Sequence, residues 1–148
     1  LEHPDKSRRW NLSAFNCGDS GEAEGNLTGG NLAVLGALNG TPYCPDLDGS
    51  ILFIEDVGER PYRIDRMLTT LSQSGWFDQI NGLILGSFTE GEPGPDGVSI
   101  DDVMRRHFDD APFPVLAGFS AGHIDDNVPL PFGSMAIIRG EQLTLNAP

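Results

Sequence analysis

Cysteine is scarce in this chain: Cys17 and Cys44 are the two thiols in 148 residues, with no Cys-x-x-Cys pair and no histidine at metal-ligand spacing around them. Both are expected as ordinary reduced thiols, so neither a disulfide framework nor a structural zinc site is expected. Positive charge is also scarce, nine basic residues standing against twenty-two acidic ones for a formal charge of -13. Such a surface repels a phosphate backbone, which argues against a nucleic-acid partner, and it leaves a cationic ligand or a basic partner domain open. No apolar run approaches the roughly 20 residues that span a bilayer. The opening Leu1-Glu2-His3-Pro4-Asp5-Lys6 lacks the apolar segment of a signal peptide. A soluble, cytoplasmic chain with no membrane partner is expected. It opens on Leu1 rather than Met, as an excised fragment or a processed product would. The Gly-rich segments have no Lys after them and do not join a strand to a long helix, so neither a phosphate loop nor a dinucleotide fingerprint is supported.

What is present suffices for one domain that buries its own core without staples. The first thirty residues are polar and Gly-rich and read as loop or linker with one short strand. Leu32, Leu35 and Leu38 repeat every three residues, predicting a two-turn helix, and Gly40 to Asp46 is irregular because of Pro42 and Pro45. Ser50 to Asp56 is too apolar to have a wet face and reads as a central strand, with Glu55 at its C-terminal end. A helix follows from about Tyr62 to Ser74, with Ile64, Met67, Leu68 and Leu71 on its inner stripe. Leu83 to Gly86 and Val115 to Phe119 are further buried strands. Between them, Ser99 and Asp102 form a capping box for a helix whose stripe is Ile100, Val103, Met104 and His107. The tail reads as a hairpin, Ser134 to Ile138 and Gln142 to Leu145. This order predicts an α/β fold with a mixed parallel and antiparallel sheet and right-handed crossovers.

Three histidines compete for a chemical role. His3 lies in the terminus, and His107 sits on an apolar helix stripe, where a packed structural imidazole is expected. His123 instead follows a strand, behind Gly122 and before the turn Asp125-Asp126-Asn127. If the strands ending at Glu55 and Phe119 share one sheet edge, Glu55 can meet His123, fix its tautomer, and leave the other ring nitrogen to deprotonate a hydroxyl. The competing expectation pairs Glu55 with Arg60 or Arg63. His123 with Asp125 or Asp126 makes a poor metal site, and neither metal nor cofactor is expected. The abundance of acids leaves a carboxylate pair for glycoside hydrolysis open but unspecific. A nucleophile is missing: Ser50, Ser72, Ser74, Ser87, Ser99, Ser120 and Ser134 all lack the Gly-x-Ser-x-Gly elbow. The attacking hydroxyl is therefore expected on another domain.

Longer motifs carry a resemblance. Gly29-Gly30-Asn31-Leu32, Gly40-Thr41-Pro42-Tyr43, Ile51-Leu52-Phe53-Ile54-Glu55-Asp56 with Glu59, Pro61-Tyr62-Arg63-Ile64-Asp65-Arg66-Met67-Leu68, Gly118-Phe119-Ser120-Ala121-Gly122-His123 with Asn127, and Pro129-Leu130-Pro131-Phe132-Gly133 stand in this order. Together, from about Gly25 to Leu145, they resemble the C-terminal half of the LD-carboxypeptidase family of serine peptidases, which includes the microcin C immunity peptidases. The resemblance implies a Ser, Glu, His triad whose glutamate is Glu55 and whose histidine is His123. It implies a layered β/β/α swivelling-type domain at 25–148, preceded by a polar linker or extension at 1–24. The serine and oxyanion donors are implied to lie in an N-terminal nucleophile domain absent from this chain, so that the chain alone is expected to be inactive. Members are implied to be cytoplasmic, to form homodimers in many cases, and to cut the amide between an L- and a D-centre in murein tetrapeptides during peptidoglycan recycling. The immunity branch is implied to cleave an aminoacyl-nucleotide instead. Against both stands a third expectation, a non-catalytic ligand-binding or interdomain module that uses the same groove.

Overall fold

A computed structural model of the chain describes residues 7–15 and 21–146; His3 and Cys17 lie outside them. Among the described residues eight strands form one sheet: β1 (Arg8–Asn11), β2 (Ser13–Ala14), β3 (Glu22–Asn31), β4 (Ile51–Val57), β5 (Gly82–Thr89), β6 (Val115–Ala117), β7 (Met135–Arg139) and β8 (Gln142–Leu145). The described residues also form three helices between the strands, α1 (Leu32–Leu38), α2 (Pro61–Gln73) and α3 (Ile100–Phe108). Their spatial order is β1-β8-β7-β3-β4-β5-β6-β2. Within it β3, β4, β5 and β6 run parallel, while β7, β8, β1 and β2 pair antiparallel.

The two edges of this sheet are consecutive in the chain. β1 and β2 are separated by Leu12 alone, yet they pair with β8 and β6 at opposite ends of the strand order. A chain advances only about 3.3–3.6 Å per residue, so the sheet must curl until its edges nearly meet. The result is a largely closed, mixed sheet.

Side-chain alternation divides the core in two. Along β4, Ile51 and Phe53 face one cluster and Leu52 and Ile54 the other. Inside the curl, Ile51 and Phe53 meet Leu27, Ile84, Leu116, Ala136, Ile138, Leu143 and Leu145. Outside it, Leu52 and Ile54 meet Leu32, Leu35, Ile64, Leu68, Leu71, Val103 and Phe108 of the three helices. Two sheet layers and one helical layer follow, the β/β/α arrangement expected from the sequence. No helix of the described residues is long and apolar enough to cross a membrane.

The helices start where the sequence says they should. Pro61 opens α2, where its missing N–H costs nothing. Ser99 and Asp102 form the reciprocal capping box of α3: Ser99 Oγ accepts from Asp102 N at 3.1 Å, and Asp102 Oδ2 accepts from Ser99 N at 2.8 Å.

The opening residues depart from expectation. Read as loop with one short strand, they hold three strands, and β3 is a ten-residue strand at the centre of the sheet. Turn-forming composition misled here because the glycines serve another purpose. A Cβ on Gly29 would overlap the carbonyl oxygen of Phe53 in the neighbouring strand. Close backbone approach, rather than a turn, requires glycine there. β5 is also longer than its apolar core, Ser87 to Thr89 continuing beside Asp56 and Val57.

Leu68 is fully buried between α2 and the sheet, whereas Val34 on α1 is 57 % exposed. Leu68→Ala should therefore lower the unfolding free energy by about 2–5 kcal/mol, and Val34→Ala should change it by less than about 0.5 kcal/mol. Denaturant titration of the two variants measures both.

Candidate active site

Two adjacent carboxylates end β4, and both are buried: Glu55 at 5 % and Asp56 at 3 % relative exposure. Neither can remain there without donors. The register of β4 against β5 shifts between Ile54 and Asp56, a bulge that re-aims the side chains where the strand runs out.

Asp56 is satisfied on the helical side. Asn31 Nδ2 donates to Oδ1 at 3.0 Å, Val57 N to Oδ1 at 2.8 Å, and Ala33 N, in the first turn of α1, to Oδ2 at 2.9 Å. Asn31 itself caps α1, its Oδ1 accepting from Val34 N at 3.1 Å. Asp56 thereby ties the end of β4 to the start of α1.

Glu55 is satisfied by His123. The imidazole Nδ1 lies 2.9 Å from Glu55 Oε2, although the two residues are 68 apart in sequence. An ionised carboxylate can only accept, so Nδ1 carries the hydrogen and donates it, and in the neutral ring Nε2 keeps its lone pair. The His123 side chain is 55 % exposed while that of Glu55 is 7 % exposed. One end of the imidazole is held by a buried acid; most of the ring remains reachable.

The loop after β6 is shaped to make this contact. Ser87 of β5 reaches it twice, Ser87 N donating to Ala121 O at 2.9 Å and Ser87 Oγ to the same oxygen at 3.1 Å. Val128 N closes the loop on Ser120 O at 2.8 Å, and Gly122 N donates to Asn127 Oδ1 at 3.1 Å. Gly122 has φ +131°, and a Cβ there would overlap Ser87 Oγ and stand 2.8 Å from Glu55 Oε2. Only glycine lets the backbone pass close enough for the next residue to reach the carboxylate.

The hydrogen bond to Glu55, followed by the charge of that same carboxylate, raises the His123 pKa above the ordinary imidazole value; Asp56 and Glu90 add smaller contributions in the same direction, against a desolvation that lowers it. Because the contact favours the protonated ring, its contribution to folding is complete below the unfolded histidine value and is lost as pH rises through the raised folded one. Proton abstraction needs the neutral ring and therefore runs the other way, improving as pH rises.

The other candidates fall elsewhere. His107 is structural, its Nε2 lying 2.7 Å from Asp65 Oδ1 across the α2–α3 contact. Arg63 pairs with Glu59 at 2.5 Å and leaves Glu55 to His123. Ser120 contributes its carbonyl to the loop closure, and Ser99 and Ser134 are bound to Asp102 and to the Pro131 carbonyl. No group of three or more His, Cys, Asp or Glu among the described residues is placed to hold a metal ion. Sequence reasoning missed Asp56, Asn31, Ser87 and Asn127 as supports. For Asp56 the signal was available: a second acid at the end of an apolar strand demands donors as much as the first.

The family model for the LD-carboxypeptidase C-terminal domain matches residues 24–138. This chain belongs to that family. A carboxypeptidase homologue of Synechocystis is 41% identical over 134 residues, covering 88% of this chain and 44% of its own length. The microcin C7 self-immunity protein of Escherichia coli is 32% identical over 141 residues, covering 87% and 41%. The crystal structure of muramoyltetrapeptide carboxypeptidase from Oxalobacter formigenes superposes with a TM-score of 0.84 at 34% identity, covering 99% of this chain and 51% of that one. The LD-carboxypeptidase domain described here thus spans about half the length of the relatives it matches.

Titration of the His123 imidazole by NMR should give a midpoint that falls in Glu55→Gln, because the charge holding the ring protonated is gone. Gly122→Ala should lower it too, by driving the loop off the carboxylate. A midpoint that stays put in both variants would mean that something other than Glu55 sets it.

Proposed function

We propose that this chain is the C-terminal domain, at residues 25–148, of a serine-type carboxypeptidase that hydrolyses the amide between an L- and a D-amino acid centre in murein tetrapeptides. The observation that carries this reading is the 2.9 Å contact between His123 Nδ1 and Glu55 Oε2. Membership of the LD-carboxypeptidase family and the superposition on the Oxalobacter enzyme support it.

In this mechanism His123 Nε2 takes the proton from a serine hydroxyl as that oxygen attacks the scissile carbonyl. Glu55 holds the ring in the correct tautomer and compensates the imidazolium that forms. His123 then returns the proton to the departing amine. The serine and the donors that stabilise the oxyanion come from an N-terminal nucleophile domain, so both halves are needed for positioning as well as for chemistry. The buried position of Glu55 suits its part: with little water to screen it, the carboxylate acts strongly on the ring it touches.

Similarity to the microcin immunity protein supports a second reading of the same two residues, an amidase acting on an aminoacyl-nucleotide. Full-length protein assayed side by side with a murein tetrapeptide and an aminoacyl sulfamoyl adenylate separates the two.

In the full-length protein His123→Ala should reduce turnover by at least about a thousandfold while the protein still folds, less stable by about 1–3 kcal/mol because Glu55 loses its partner, and near-normal turnover would refute the assignment. For the unsubstituted protein kcat/KM should climb with pH to a plateau, with a midpoint above the ordinary histidine value. A flat profile across that window would count against His123 as the base.

A further inference from the structure

β5 runs between the two elements that carry the site. On one side it pairs with β4, Asp56 opposite Phe88 and Val57 opposite Thr89, just past Glu55. On the other, Ser87 N and Oγ hold the Ala121 carbonyl of the loop that carries His123. The chain leaves β5 at Glu90, which therefore stands at the same end of the sheet as the acid and the imidazole.

Glu90 has a left-handed backbone, φ +56°, and among the described residues every other position of positive φ is glycine. The conformation is imposed from both sides. Thr89 O accepts from Gly58 N at 2.9 Å, and a Cβ on Gly91 would stand 2.7 Å from Glu59 O and overlap the Ile100 side chain. For a turn alone glycine serves best, since it adopts this backbone without steric cost. Strain of this kind persists where the side chain is put to use. The Glu90 side chain is exposed and forms no ion pair with any described residue, so its charge is not spent on the fold.

The charged groups around the His123 ring come from three directions. Glu55 and Asp56 lie on β4, Glu90 at the end of β5, and Asp125 and Asp126 follow the ring in its own loop, with Arg8 and Arg9 across the groove from them. Glu55 and Asp56 are buried and committed to donors, whereas Glu90 acts through space from the surface. Its charge favours the protonated ring, in the same sense as that of Glu55. We propose that Glu90 is a positioning residue of the reaction: it acts through His123, stabilising the imidazolium that forms as the serine proton is taken. The proposal rests on His123 as the general base of the carboxypeptidase reading. The two acids then have different tasks. Glu55 fixes the tautomer by direct contact, and Glu90 adds charge without a hydrogen bond.

The test compares Glu90→Gln, Glu90→Asp and Glu90→Gly in the full-length protein, with Glu92→Gln as the control, an exposed acid nearby whose substitution changes the net charge equally. NMR titration of His123 needs no substrate. Its midpoint should fall in Glu90→Gln and Glu90→Gly and stay in place in Glu90→Asp and Glu92→Gln. The difference should vanish at about 1 M salt, where the screening length is about 3 Å. With a murein tetrapeptide, Glu90→Gln should move the acid limb of kcat/KM to lower pH and lower the plateau about twofold to fivefold. A less basic ring is neutral sooner but takes a proton less readily, whereas a merely structural loss lowers the whole profile without moving its midpoint. Glu90→Gly should also unfold at higher denaturant than Glu90→Gln, because it relieves the left-handed residue. A His123 midpoint or a plateau unmoved by Glu90→Gln, an equal shift in Glu92→Gln, or Glu90→Gly no more stable than Glu90→Gln would overturn the proposal. Loss of the NMR shift counts against Glu90 alone. Turnover that survives His123→Ala counts against the carboxypeptidase reading, and with it the base that Glu90 serves.

Discussion

A carboxylate at the end of an apolar strand must be given a donor, and the contact of Glu55 with His123 is the solution this domain adopts. Much of the local architecture serves that one hydrogen bond. The β4–β5 bulge falls at Glu55, Ser87 fixes the Ala121 carbonyl, Asn127 holds the Gly122 amide, and Gly122 supplies the close approach no other residue allows. Removing Glu55 leaves the imidazole without its anchor; removing His123 leaves a buried acid unsatisfied, which costs more than the bond itself is worth.

The neighbouring Asp56 solves the same problem on the opposite side of the strand. It takes three donors from Asn31, Ala33 and Val57 and so joins β4 to the start of α1. Two consecutive acids are thereby committed in different directions, one to an exposed imidazole and one to the helical layer. This division is what alternation along a strand imposes. It also rigidifies the strand end that carries Glu55, since Asp56 can shift only by giving up its backbone and side-chain donors together.

Apolar patterning and capping signals made the parallel strands, the helices that follow them and the tail hairpin legible. The apolar run before Glu55, the stripe of Ile64, Leu68 and Leu71, the Ser99 capping box and the tail hairpin all lie where the sequence places them, give or take a few residues at their ends. The polar opening residues were not legible, because β3 buries only Leu27 fully and owes its place to backbone pairing with β4 and β7 rather than to an apolar face. Sheet closure was invisible for the same reason: nothing in Arg8 to Ala14 says that strands one residue apart go to opposite edges. At the site, Glu55 and His123 stood out as an acid ending an apolar strand and an imidazole behind a glycine. Their supports did not, since Ser87 and Asn127 act through contacts that depend on which loops the fold brings together.

The central claim is that Glu55 and His123 act as one unit, and a kinetic double-mutant cycle on the full-length protein tests it most directly. Turnover of a murein tetrapeptide is measured for Glu55→Gln, His123→Ala and the pair. A unit predicts that the double variant is no slower than His123→Ala alone, because the acid has nothing to act on once the ring is gone. Losses that multiply independently would contradict it.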